Sequence, residues 1–254
     1  MPGRPYILSE VTYRATRETT YDLAVLPWGA TEAHNLHLPY ATDTIETERI
    51  AAESARLAWG EGARVIVLPA VPFGVHTGQL DVPLCLNLNP STQFQILKDL
   101  AETLAGQAIP KLVILNGHGG NHFRQMIREL LPSLRLFICT VNWYEVVEPG
   151  PFFAEPGDHA GELETSVTMH LAPELVLPLS QAGSGKARAF RLKGFQEGWA
   201  WAPRRWTEVT QDTGVGNPAQ ATPEKGRRYL NAVTPTIADF LVELARADVN
   251  DLYR

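Results

Sequence analysis

One Glu, two His and one Asp fall within seventeen residues, WGATEAHNLHLPYATDT, from Trp28 to Thr44. Carboxylates and imidazoles together offer the mixed oxygen and nitrogen donors that suit zinc or manganese. Glu32 and His34 lie two apart, so on extended backbone their side chains project to the same side. Asp43 follows where the chain turns into a helix beginning near Thr44. It has a second reading as an N-cap, with Glu46 in the place of a capping-box acid. His37, followed by Leu-Pro, reads as a packed, hydrogen-bonded histidine rather than a ligand. Two later segments carry the same residue types. NGHGGN puts His118 directly after an apolar run, among glycines that let backbone approach closely. His118 could equally be a turn histidine, or its glycines a phosphate cradle. GDHAGELETS puts Asp158 and His159 just ahead of a helix and Glu164 in its first turns. Taken alone, Glu164 reads as a solvated helix residue. His76, His122 and His170 stand isolated.

The joint reading is stronger than the separate ones. Glu32, His34, Asp43, His118 and Glu164 exceed what one catalytic ion with an open position needs, which points to two ions sharing a carboxylate. Two such ions can hold a hydroxide and polarise a carbonyl at once. That is hydrolysis at neutral pH without a nucleophilic side chain. Consistently, the chain has no G-x-S-x-G elbow, and neither Cys85 nor Cys139 sits in a catalytic motif. GSGKA lacks the glycine spacing of a phosphate loop and the Ser or Thr after Lys186.

The elements that must position these residues are strands and helices in alternation. DLAVLPWG, RVIVLPAV, LVILNG and LFICTVNW read as strands that are apolar on both faces. Between and after them, apolar residues recur at three-and-four spacing in TIETERIAAESARLAW, PSTQFQILKDLAETLAGQ, HFRQMIRELLPSL, GELETSVTMHLAPELV and the closing PEKGRRYLNAVTPTIADFLVELARADV. The expected fold is α/β: a mostly parallel sheet between two layers of helices, as one domain over residues 1–254. In such sheets ligands gather outside the carboxyl ends of the strands. The stretch 194–218 has little periodicity and holds Trp199, Trp201 and Trp206, so it reads as a functional loop or an oligomer contact.

Composition narrows the function. A net charge of -6 over 254 residues, with no basic block, argues against a nucleic-acid or anionic-membrane partner. The apolar runs are too short to span a bilayer, and MPGRPYILSE lacks the apolar stretch of a secretory signal. Two distant cysteines read as buried thiols of a reducing compartment, so a cytoplasmic location is expected.

The motifs resemble those of the creatininase family of metal-dependent amidohydrolases. GATEAHNLHLPYATD is similar to its GSxExHGxHLPxxTD pattern. NGHGGN is unchanged at 116–121, HAGELETS matches HAGxxETS, and GVGNPAQATPEKG is similar to GxxGxPxxATxEKG, with one residue fewer between the first two glycines. The four motifs span residues 28–226 in order. The resemblance implies a three-layer α/β/α domain, a homo-oligomer with a hexamer as one form of it, and two zinc or manganese ions. Carried over by motif, Glu32, Asp43 and His118 hold one ion, and His34, the bridging Asp43 and an acid hold the other. Creatinine-hydrolysing members have a carboxylate two residues after the second-motif histidine, where this chain has Gly120. Glu164 is therefore the candidate acid, and creatinine itself is an unfavoured substrate. Asn35 stands where the family has glycine. His159 matches a family histidine near the scissile bond, suited to shuttling a proton. Asp158 beside it would orient that histidine or bind substrate.

The expected activity is hydrolysis of a cyclic or formyl, non-peptide amide C–N bond in a small-molecule substrate, through hydroxide held between two metal ions. The alternatives are a deformylase or peptidase on the same scaffold, and a non-catalytic oligomeric metal-binding protein. The Trp199–Trp206 loop and the segment PFGVHTGQ around His76 are expected to shape the substrate site.

Overall fold

The computed structural model describes residues 3–253. Its four strands, β1 (Leu23–Trp28), β2 (Val65–Val67), β3 (Lys111–Asn116) and β4 (Phe137–Asn142), are all parallel and lie in the order β2-β1-β3-β4. Alternation along each strand sends Leu23, Val25, Val65, Val67, Val113 and Leu115 to one face. Ala24, Leu26, Trp28, Ile66, Leu112 and Ile114 go to the other. Both sets are buried, so both faces need cover, as the near-continuous apolar runs require. β4 is half-buried along its whole length, as befits the sheet edge.

Helices α1 (Tyr13–Glu18), α2 (Thr42–Gly60), α3 (Pro90–Gly106), α4 (Phe123–Leu130), α5 (Glu162–Leu171), α6 (Lys193–Gln196), α7 (Trp206–Val209) and α8 (Pro223–Arg246) complete the fold. On the first face Ile50 and Ala55 of α2, Val167 of α5, and Val233, Ile237 and Leu241 of α8 pack over the sheet. On the second face Leu97, Ala101 and Leu104 of α3 and Phe123 and Met126 of α4 do so. The result is the expected three-layer α/β/α arrangement. Lys111 is buried at the start of β3, and its ammonium donates to the carbonyls of Leu244, Ala245 and Ala247, closing the α8 C-terminus. Among the described residues no helix is long and apolar enough to cross a membrane.

The topology decides where chemistry can gather. From β1 the chain moves outward to β2, then returns to pair β3 on the other side of β1, with Trp28 level with Asn116. The crevice beyond these two strand ends is the switch point where ligands bind in such sheets. Glu32 and His34 follow β1, and His118 follows β3.

Candidate metal centre

The segment after β1 does not enter its helix at once. His34 and Leu38 form an isolated bridge around a turn at Asn35, whose φ is +54°. That left-handed conformation favours glycine and, among other residues, asparagine. This explains how Asn35 stands in a glycine's place. Its side chain then closes the turn, accepting from the Leu36 and Gly183 amides at 2.6 and 2.7 Å. The turn sets Glu32 and His34, both 1% exposed, against the first turn of α2. Asp43 sits inside that turn. The N-cap is Ala41, with no side-chain cap, and Glu46 is buried against Thr168 instead of closing a capping box. The capping reading of Asp43 is thereby excluded.

Three imidazoles converge on these carboxylates in one pattern. His34 Nδ1 donates to the Glu32 carbonyl at 3.1 Å, His118 Nε2 to the Val75 carbonyl at 3.0 Å, and His159 Nε2 to the Ala33 carbonyl at 2.8 Å. Each backbone bond fixes the ring and frees the other nitrogen to face the carboxylates. His34 Nε2 lies 2.8 Å from Asp43 Oδ1. His118 Nδ1 lies 2.8 Å from Glu32 Oε1 and 3.1 Å from Asp43 Oδ2, and His159 Nδ1 lies 3.9 Å from Glu32 Oε1. His34 Nε2 and Asp43 Oδ2 are both fully buried atoms that complete no ordinary hydrogen bond. A neutral His34 would set its Nε2 lone pair against a carboxylate oxygen, so a proton or a metal cation must lie between them. The donor set fits a divalent ion.

The buried groups of the cluster also perturb one another's charge. Burial opposes charge on His34, yet Asp43 beside it outweighs burial and lifts the imidazole to about 10. Burial likewise opposes charge on His118, and Glu32 and Asp43 raise it well above the usual value. Burial would raise Glu32, but His118 and His159 hold it well below the carboxylate range. Gln79 donates to Glu32 Oε2 and accepts from the Cys85 thiol at 3.2 Å, which steadies the second oxygen.

Glu164, in the first turn of α5, joins the cluster: one of its carboxylate oxygens, one nitrogen of His34 and one oxygen of Asp43 lie within 4.8 Å of one another. Glu162, two residues earlier, turns away to Lys225. Asp158 does not orient His159. Its exposed carboxylate takes Arg204 at 2.6 Å, because neighbouring residues beside the His159–Val215 bridge project to opposite sides. The His159 ring is held instead by the Ala33 carbonyl and by the edge of Trp206, 5.2 Å away. His37 bonds Thr165 at 3.0 Å and stays outside the cluster. His76 is not isolated: it is buried beside His118. A cleft of about 800 Å³ opens over the cluster, lined by His76, Asp158, Trp201, Arg204 and Trp206 among others, so the tryptophan loop does border the site. Cys85 and Cys139 are free thiols, half-buried rather than buried.

Glu46 gives a stability test of this electrostatic picture. Burial, reinforced by the Glu164 charge, raises its carboxyl well above the usual range. An acid raised by folding costs stability above its unfolded value near 4.5 and nothing below it. Glu46→Gln should therefore match wild type near pH 4 and exceed it increasingly as pH rises toward 8. Melting temperatures of chelator-treated protein across that range check this, and a gain independent of pH would contradict it.

The Creatininase family profile, described as creatinine amidohydrolase, matches residues 9–241. A Bacteroides fragilis NCTC 9343 protein with the provisional name creatinine amidohydrolase superposes with a TM-score of 0.92 at 45% identity, over 98% of this chain and 99% of that one. Mycofactocin precursor peptide peptidase of Mycobacterium tuberculosis is 30% identical over 220 residues, covering 82% of this chain and 80% of its own. Creatininase shares the fold in a manganese form, at a TM-score of 0.77 and 21% identity, and a mutant does so in a Zn–Zn form, at 0.76 and 22%. Each alignment covers 96% of this chain and 100% of the other. With the matched profile spanning nearly its whole length, the chain belongs to the creatininase family of hydrolases.

Proposed function

We propose that this chain is a metal-dependent amidohydrolase that cleaves a non-peptide amide C–N bond, cyclic or formyl, at a centre of two divalent ions, zinc or manganese. The observation that carries this reading is the gathering of His34, Asp43 and Glu164, and of Glu32 with His118, in one buried cluster, with His34 Nε2 2.8 Å from Asp43 Oδ1. Glu32, Asp43 and His118 would hold one ion, and His34, Asp43 and Glu164 the other, with Asp43 shared. When bound, such a pair supplies an activated water and a Lewis acid for the carbonyl oxygen. The chain's own part is to orient and to move a proton. His159, anchored through Nε2, keeps Nδ1 toward the cluster and can pass a proton to the departing nitrogen. The backbone at Gly119 and Gly120 borders the same cleft, whose volume suits a small molecule.

Metal content tests the reading. Purified wild type should hold about two zinc or manganese ions per chain, and Glu164→Gln should fall toward one, by mass spectrometry after dialysis. An unchanged count in the variant would remove Glu164 from the centre. A panel of cyclic and formyl amides then follows.

A second reading, a peptidase on the same scaffold, draws support from the relative named as a precursor peptide peptidase. The exposed Trp201 at the rim of the cleft would suit a longer substrate. Short peptides in the same panel separate the two, because only a peptidase releases amino acids from them.

A further inference from the structure

His76 lies on the loop between β2 and α3, and the two-metal reading gives it no task. It is 6% exposed, and neither of its ring nitrogens has a hydrogen-bond partner. Burying both without compensation costs stability, so the arrangement calls for an explanation. Its surroundings aim it at the cluster. The ring stands 5.7 Å from that of His118, centroid to centroid, and nearly perpendicular to it at 85°. One of its nitrogens lies within 4.8 Å of ligand atoms of Glu32 and His118. The loop is also pinned around it: the Val75 amide bonds Asn121 at 3.1 Å and the His76 amide bonds Asn87 at 2.9 Å. The Val75 carbonyl is the same group that orients His118. Gly120 shows what the loop displaces, because a Cβ there would collide with the Val75 carbonyl oxygen and crowd the His118 ring. A side chain at position 120 and the loop in its present place exclude one another.

We propose that His76 is an additional imidazole ligand to the ion held by Glu32, Asp43 and His118, an inference that rests on the two-metal reading. That ion then has two nitrogen and two carboxylate ligands from the chain.

The test strips the full chain with EDTA and titrates zinc and manganese back against a chromophoric chelator, for wild type, His76→Ala and His76→Gln. Far-UV circular dichroism checks the fold of each. The expected result is two sites in wild type, one of which weakens by about 10-fold or more in both variants while the other holds. Cobalt-loaded His76→Gln should also show an altered d–d absorption band, because one imidazole has left the ligand field. The Gln variant retains polarity and bulk, so it decides the matter if His76→Ala does not fold. Two sites of wild-type affinity with an unchanged cobalt band overturn the proposal and leave the hydrolase reading standing. A wild type that takes up no metal overturns both.

Discussion

If the centre holds two ions as proposed, Asp43→Ala should strip the chain of both, whereas Glu164→Gln should cost it one. The difference follows from position. Asp43 is the one carboxylate here whose two oxygens face two different imidazoles, His34 at 2.8 Å and His118 at 3.1 Å. It is 1% exposed and held at the start of α2, where Thr47 donates its hydroxyl to the Asp43 carbonyl at 2.6 Å. Truncating it leaves each ion short of a ligand and leaves both imidazoles without their counter-charge. Groups that merely orient a ligand already cost about 10- to 100-fold in affinity, so losing a shared ligand should cost about 100-fold or more at both sites. Activity on any identified amide should fall to background with it. Equilibrium dialysis followed by metal analysis reads the result directly. One ion retained at wild-type affinity would show that Asp43 is not shared. The same geometry sets a direction with pH: with His34 lifted to about 10 and His118 also raised in the metal-free chain, uptake must displace protons, so affinity should weaken on acidification.

Most of the scaffold was legible in the sequence because its signals are local. The four strand runs are short, apolar and continuous, and each became a strand of the parallel sheet. The long helices announced themselves by spacing, as in Leu97, Ala101 and Leu104 of α3 on one buried face. Glu32, His34, Asp43 and His118 were legible for a related reason: each sits within a few residues of a strand end or helix start, so topology alone brings them to one crevice. His76 had no such signal. It lies on the loop between β2 and α3, whose Val75 and His76 amides donate to Asn121 and Asn87 and so hold it beside His118. Gln79 was missed for the same reason, since its contact with Glu32 spans 47 residues. Of the two roles read for Asp158, orienting His159 fails because neighbours on bridged backbone point to opposite sides, while its place on the cleft wall leaves substrate binding open. Asn35 could have been read further: a glycine position that accepts Asn is a left-handed position, and φ here is +54°.

His159→Ala should keep the metal and lose the reaction. The alternative is concrete, because a nitrogen of His159 lies within 4.8 Å of ligand atoms of Glu32 and His34, close enough for the ring itself to be a ligand. Two features argue for the proton-carrying role. His159 Nδ1 stands 3.9 Å from Glu32 Oε1, about 1 Å farther out than His118 Nδ1 is from the same oxygen, at 2.8 Å. Its ring also packs near His34, 4.2 Å away between centroids, and near Trp206, 5.2 Å away, and like Trp206 it lines the cleft. Removing a positioned general acid or base costs about 10²- to 10⁴-fold in turnover. A ligand's removal would instead lower metal content first and activity as a consequence. Titrating metal into His159→Ala while following turnover separates the two. If two ions bind with wild-type affinity and saturating metal restores nothing, the imidazole acts on the substrate. Should excess metal restore turnover, His159 belongs among the ligands. Its Nε2 bond to the Ala33 carbonyl would then serve to aim a metal-binding nitrogen, as the backbone bond of His118 does.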